Sequence, residues 1–147
     1  MSTLALATGL ACMLASGALF AFSAFVMAGL DRLAPQQGLL AMQSINVRAV
    51  TPVFMAALFA PAALCVAVAI GDGSALAIAG AAAYLVGPIG TTIAGNVPLN
   101  DALTRVDAAD PRADARWRDY SRRWTRLNHL RVALGIAAAA LLVAAGA

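Results

Sequence analysis

Three groups of polar residues could take part in chemistry, because each lies where a long uncharged stretch of the sequence meets charged residues. The groups are Gln43, Asn46 and Arg48, then Asn96, Asn100 and Asp101, and finally Asn128, His129 and Arg131. Their amide, guanidinium, carboxylate and imidazole groups can form hydrogen bonds and carry charge. Polar groups next to lipid are costly unless they are paired, and they are therefore often functional.

His129 is the only histidine in the chain, and a histidine side chain suits proton transfer near neutral pH. One histidine cannot form a metal site of the usual kind, which needs three or four ligands. Cys12 and Cys65 lie in apolar runs, where we expect them to be buried as small hydrophobic residues. No metal site is therefore expected. A lone histidine at a helix start is also common as a hydrogen-bonded interface residue, so both roles for His129 stay open.

The other polar residues have structural explanations as well. Asn96 precedes Pro98 by two residues and could cap a helix that begins there. Arg48 and Arg131 could anchor helices at the membrane interface, or they could form ion pairs with Asp101. The sequence leaves these alternatives open beside a binding role.

The composition indicates that the chain is folded in lipid. Of its 147 residues 62% are apolar and 12% are charged, whereas a soluble domain is about a quarter charged. Charge-free runs cover residues 1–30, 49–71, 73–100 and 132–147. A membrane span needs about 20 apolar residues. The last run is shorter, but it can extend backward if Arg131 and His129 direct their polar ends to the interface.

These runs predict an all-α fold, a four-helix transmembrane bundle that forms one domain over residues 1–147. The expected spans are residues 4–30, 49–70, 74–96 and 128–146, and residues 97–127 form a polar segment. All ten arginines fall on the side of the two polar connections, and only Asp72 lies on the other side. By the positive-inside rule, the arginine-rich side is cytoplasmic and both termini face outside, in a bacterial plasma membrane. Because membrane orientation explains the arginines, no nucleic-acid partner is expected.

The polar segment is predicted to contain an additional amphipathic helix. Asp110 and Pro111 have the residue types of an N-cap and a first helical position. One helical face then carries apolar and aromatic residues at spacings of three and four, namely Trp117, Tyr120, Trp124 and Leu127. Arginines fill the other faces. This pattern is typical of a helix that lies at the lipid headgroups or over the mouth of a bundle.

Consecutive helices in a small bundle are usually neighbours, so the three polar groups are expected to surround one cytoplasm-facing pocket. Residues 96–103, NVPLNDAL, would form its floor, and the helix with Trp117 and Trp124 its roof, with His129 reaching in. The alternative is that these polar residues only cap helix ends at the interface.

Three motifs in this order resemble a known family. The first is I-N-x-R followed by a proline, formed by Ile45, Asn46, Arg48 and Pro52; the second is NVPLN at residues 96–100. The third is W-x6-W-x3-N-H-x-R, from Trp117 to Arg131. The sequence resembles the anthrone-oxygenase-like membrane family, which is largely bacterial and uncharacterised. Its fungal members oxidise polyketide anthrones to anthraquinones.

The resemblance implies oxygenation of an electron-rich aromatic substrate without metal or flavin. The acidic benzylic carbon of the substrate would form a carbanion that reacts with dioxygen. His129 would be the base, with Asp101 orienting it or serving instead. Oxyanion donors would be the four asparagines Asn46, Asn96, Asn100 and Asn128. Arg48 or Arg131 would offset the negative charge, and Trp117 and Trp124 would stack on the ring or close the mouth.

A non-catalytic function is the alternative. In that case the same polar residues would belong to a four-helix membrane module that binds a lipid, a quinone or a partner protein. Both hypotheses share the lipid bilayer as surroundings and a hydrophobic small molecule as a ligand, and both are compatible with a homo-oligomer.

Overall fold

The computed structural model describes residues 2–147, which form five helices and no strand. These are α1 (Thr3–Leu30), α2 (Pro35–Ala49), α3 (Pro52–Asp72), α4 (Ala75–Thr104) and α5 (Ala113–Gly146). All except α2 are long and apolar enough to cross a membrane. The structure therefore confirms the predicted all-α fold with four transmembrane helices, and the chain is a multi-pass membrane protein.

Local residue chemistry explains where α3 begins and where it turns into α4. The Thr51 hydroxyl accepts a hydrogen bond from the Phe54 amide at 3.3 Å, and Pro52 occupies the first helical position. Gly73, with φ of 68°, ends α3 in the left-handed conformation that glycine adopts at low cost. The Ser74 hydroxyl then caps α4 by accepting from the Ala77 amide. Local capping residues thus define both ends of α3.

Prolines alter the hydrogen-bonding pattern of α4 without ending the helix. Pro88 and Pro98 have no amide hydrogen to donate, and wider π-helical turns occur at Leu85–Gly90 and Thr92–Asn96. The Val97 amide donates to the Thr92 carbonyl, five residues back. The predicted helix start capped by Asn96 is therefore wrong: the helix continues to Thr104, and the Asn96 side chain forms no cap.

The predicted amphipathic segment is present, but it is not a separate helix. It forms the first half of α5, whose 34 residues extend over about 51 Å. Because hydrocarbon is about 30 Å thick, roughly 20 Å of α5 must project beyond it. The helix also begins later than expected. The Asp110 carboxylate accepts from the Arg112 amide at 2.7 Å in a preceding turn, and α5 starts at Ala113.

Small residues let α5 pack closely against its neighbours. A Cβ atom added to Gly9 would lie 2.8 Å from Val143, and one added to Gly135 would overlap the Ser16 hydroxyl. Such contacts drive helix association in lipid, where the hydrophobic effect cannot. The Ser2 amide donates to the Gly146 carbonyl at 3.0 Å, so the two ends of the described chain lie side by side. We call this the terminal end of the bundle and the opposite one the loop end.

The loop end is closed by a buried cluster, here called the plug, where α2 packs across α4 and α5. Its members are Leu39, Met42, Leu103, Trp117, Tyr120 and Trp124. The rings of Trp117 and Tyr120 stack with centroids 5.8 Å apart. Gln43 joins α2 to the end of α4 and to the connection after it by donating to the carbonyls of Leu103 and Val106 at 2.9 and 3.0 Å. Gln43 therefore has a structural role.

Candidate active site

A cavity of about 200 Å³ lies directly beneath the plug, between α1, α3, α4, α5 and the end of α2. Its walls are mainly apolar and aromatic, with Phe22, Phe54, Phe59 and Trp124 among them. Five polar residues line it as well: Asn46, Thr92, Asn96, Asn100 and Arg131. An apolar cavity with a few converging polar groups is the usual form of a small-molecule site.

Arg131 is the one charged residue on the cavity wall, and its side chain is only 4% exposed. Leu58, which lines the same cavity, precedes the turn at Gly73 by 15 residues, or about 22 Å along the helix axis, less than the thickness of bilayer hydrocarbon. Arg131 therefore lies within the membrane, where a charge is expensive unless it is paired. Its Nη1 donates to the Asn128 carbonyl oxygen at 3.2 Å.

No carboxylate pairs with Arg131 among residues 2–147. The ion pairs there join Arg112 to Asp110, and both Arg122 and Arg123 to Asp119. No acidic residue lines the cavity either. The predicted ion pair between Asp101 and Arg48 or Arg131 is therefore wrong. The guanidinium instead presents an uncompensated positive charge to the cavity.

Three buried side-chain atoms in the described chain have no hydrogen-bond partner. They are Nδ2 of Asn46, Oδ1 of Asn96 and Nε of Arg131. Each such atom costs about 1–3 kcal/mol, and native proteins contain few of them. All three residues line the same cavity. These residues thus carry two unpaired donors and one unpaired acceptor, a set that suits a ligand with both an oxygen acceptor and a hydroxyl donor.

Asn100 fixes the aromatic wall of the cavity. Its Oδ1 accepts hydrogen bonds from the Tyr120 hydroxyl at 2.8 Å and from Trp124 Nε1 at 3.0 Å. Asn96 holds the backbone of Trp124, since its Nδ2 donates to the Trp124 carbonyl at 3.3 Å. The Trp124 ring also packs against Phe22 with centroids 5.5 Å apart. The indole is thus held in place before any ligand binds.

Asn128 does not line the cavity, and we assign it a structural role next to Arg131. Its Nδ2 donates to the Leu19 carbonyl and the Ser23 hydroxyl, both at 2.8 Å, and its oxygen accepts from Arg131. All of its hydrogen-bonding groups are therefore occupied, and it is not among the lining residues. Asn128 joins α5 to α1 and orients the guanidinium.

The remaining predicted site residues lie outside the cavity. Trp117 is buried in the plug, and Arg48 is exposed on α2. His129 is also exposed and does not reach into the cavity, contrary to expectation. Asp101 is exposed too, but it lines a groove of about 240 Å³ that shares four residues with the cavity wall. These four residues are Asn46, Val50, Val97 and Asn100.

Sequence reasoning missed Thr92 and the apolar side of the site, including Phe22, Phe54 and Ile93. The sequence contains one indication of the α4 residues, because Thr92 and Ile93 lie between Pro88 and Pro98. Two π-helical segments, Phe22–Val26 and Thr92–Asn96, supply lining residues, and such segments are frequent at functional sites.

The described residues contain no group of three or more histidine, cysteine, aspartate or glutamate side chains placed to share a metal ion. No curated protein and no solved structure matches the chain. A family model described as anthrone oxygenase matches residues 41–141. This match covers more than two thirds of the sequence and includes every polar residue of the cavity. The chain therefore belongs to the anthrone oxygenase family.

Proposed function

We propose that the protein oxygenates an anthrone-type hydroxyaromatic substrate inside the cavity beneath the plug. The observation that carries this proposal is that the three residues with unpaired buried polar atoms all line one apolar cavity, and that one of these residues is a cationic arginine. Uniform hydrophobic packing does not require these groups. Family membership supplies the reaction class.

The cavity is complementary to the deprotonated form of such a substrate. The guanidinium of Arg131 and the side-chain amide of Asn46 can donate to an enolate oxygen, and the guanidinium charge offsets the negative charge there. The Oδ1 atom of Asn96 can accept from a ring hydroxyl. Phe22 and Trp124 form aromatic walls for a flat ring system. Preorganised donors in an environment poor in water stabilise an oxyanion more strongly than water does.

The proposed reaction uses electrons of the substrate. Removal of a proton from the benzylic carbon gives a carbanion that is conjugated with the carbonyl group as an enolate. This anion passes one electron to dioxygen, and the two radicals combine to form a carbon–oxygen bond and a peroxide. The same carbon then loses its second hydrogen as a proton while the oxygen–oxygen bond breaks. One anthrone and one dioxygen thus give one anthraquinone and one water.

Asp101 is the proton acceptor that we favour over His129. Its groove adjoins the cavity through Asn46, Val50, Val97 and Asn100, which provides a path for a proton carried by water. His129 lines neither space and is exposed on α5. In this proposal the carboxylate acts through water at the mouth of the site, while Arg131 and Asn46 act on the substrate.

Oxygen uptake by the purified protein in detergent tests the proposed function. With a dihydroxyanthrone as substrate, we expect one dioxygen to be consumed for each anthraquinone formed, well above the spontaneous rate and without loss of rate when a metal chelator is added. The Arg131→Met variant serves as the matched control for spontaneous oxidation. Binding without accelerated oxygen uptake would contradict an oxygenase and support the alternative of a binding module.

We further propose that the loop end faces the cytoplasm and both termini face outside. Nine of the ten arginines lie outside the cavity, in α2, α5 and the connections at the loop end, and the positive-inside rule places such residues in the cytoplasm. An alkaline phosphatase domain fused after Ala147 should be active in intact bacteria. Activity only after fusion within residues 105–112 would reverse the orientation.

A further inference from the structure

Four apolar residues form the outer rim of the cavity: Val50, Phe59, Ile93 and Val97. Each lines the cavity, yet each is between 40% and 73% exposed. A side chain that faces both the cavity and the outside must lie at an opening between them. The opening therefore lies on the side of the bundle, between α4 and the junction of α2 with α3.

The depth of the rim places much of this opening beside lipid chains. Phe59 precedes the terminal end of α3 by 13 residues, or about 20 Å along the helix axis. Ile93 follows the start of α4 by 18 residues, or about 27 Å. Both distances are within the 30 Å or so of bilayer hydrocarbon. Phe59 and Ile93 thus face the acyl chains of the leaflet at the loop end, whereas Val97, about 33 Å from the start of α4, lies at the interface.

The route along the bundle axis is closed. The plug covers the cavity at the loop end, and Tyr120 and Trp124 within it are only 4% and 5% exposed. Gln43 holds α2 over this end through its hydrogen bonds to Leu103 of α4 and to Val106 in the connection that follows α4. On the other side, α4 and α3 are joined where the Tyr84 hydroxyl donates to the Leu58 carbonyl at 2.9 Å. These contacts leave the side opening as the way in for a substrate, and the groove of Asp101 meets this opening at Val50 and Val97.

We infer that the substrate enters sideways from the lipid of the loop-end leaflet, and that it is a neutral, flat hydroxyaromatic molecule that ionises only after it reaches Arg131. The substrate class rests on the proposed function, whereas the route rests on the rim and the plug. An apolar molecule concentrates in the bilayer, so lipid is the richer source of it. A rim without charge admits the neutral form, and the guanidinium inside then favours the anion.

The test uses a dihydroxyanthraquinone, which cannot be oxidised further at the benzylic position, as a probe for the protein in lipid vesicles. Binding is followed by the visible absorbance change when a ring hydroxyl ionises. The Ile93→Trp variant should slow association about tenfold relative to the parent protein, the worth of roughly 1.4 kcal/mol in a barrier. Ile78→Trp is the matched control, because Ile78 is an exposed isoleucine of the same helix outside the cavity.

A second measurement needs no variant. At one free aqueous concentration, a dihydroxyanthraquinone that carries a longer alkyl substituent reaches a higher density in the bilayer than the unsubstituted probe. A sideways route predicts that its association rate rises in proportion to this bilayer density. A rate that follows aqueous concentration alone, or an Ile93→Trp variant as fast as Ile78→Trp, would overturn the route.

The probe also separates the route from the proposed reaction. Absence of any probe binding would overturn the substrate class. Sideways binding without accelerated oxygen uptake would contradict the oxygenase and leave the route intact, since binding of the probe consumes no dioxygen.

Discussion

Replacement of Arg131 by methionine should lower the rate of anthrone oxidation by a factor of about 10²–10³, the usual cost of losing one donor to an oxyanion. The same change should make the protein more stable. Arg131 carries a charge within the membrane that no carboxylate balances, and a central arginine costs about 2.5–3.5 kcal/mol on insertion scales. Methionine has a similar length and no charge, so it fills the space without that cost.

The two effects are measured separately, by oxygen uptake and by thermal unfolding in detergent. Arg131→Lys is the control that retains charge, but lysine lacks the planar guanidinium and its Nε donor, so it should recover only part of the rate. Loss of activity with a gain in stability would identify a residue retained for function. A methionine variant that is fully active but less stable would instead show that the guanidinium only supports Asn128, which joins α5 to α1.

The all-helical fold and its four membrane-spanning helices could be predicted from the sequence, because lipid requires long charge-free segments. The exact course of two of them could not. Pro98 and Asn96 have the residue types of a helix start, yet α4 continues through them because its π-helical turn places the Asn96 side chain against Trp124. Likewise, Asp110 and Pro111 resemble a helix start but belong to a turn.

The polar part of the site was also largely predictable. Asn46, Asn96, Asn100 and Arg131 were all expected in one pocket, and all four line the cavity. His129 was expected in the pocket because of its depth in the membrane, without regard to the face of the helix on which it lies. Asn128 and Arg131, three residues apart, share a face, whereas His129 is rotated by about 100° from Asn128. The apolar wall was not predictable, because almost every face of these spans is apolar.

Two predicted residues, Asp101 and His129, are the candidates for the proton acceptor. Asp101→Asn should reduce turnover by about 10²-fold or more, the usual contribution of a general base, while probe binding stays unchanged. His129→Gln should leave turnover at the parent level. Asp101 lines the groove that adjoins the cavity, whereas His129 lines neither space. Each change preserves size and hydrogen bonding, so stability should hardly differ between the two variants.

A substrate carrying deuterium at the benzylic carbon shows whether the lost step is proton removal. If Asp101 takes the proton through water, the Asp101→Asn variant should show a larger primary isotope effect than the parent protein, because carbon–hydrogen cleavage then limits the rate. The opposite pattern, with His129→Gln slow and Asp101→Asn unchanged, would assign the base to the imidazole. It would also require a path to His129 through α5, since its side chain lies outside both the cavity and the groove.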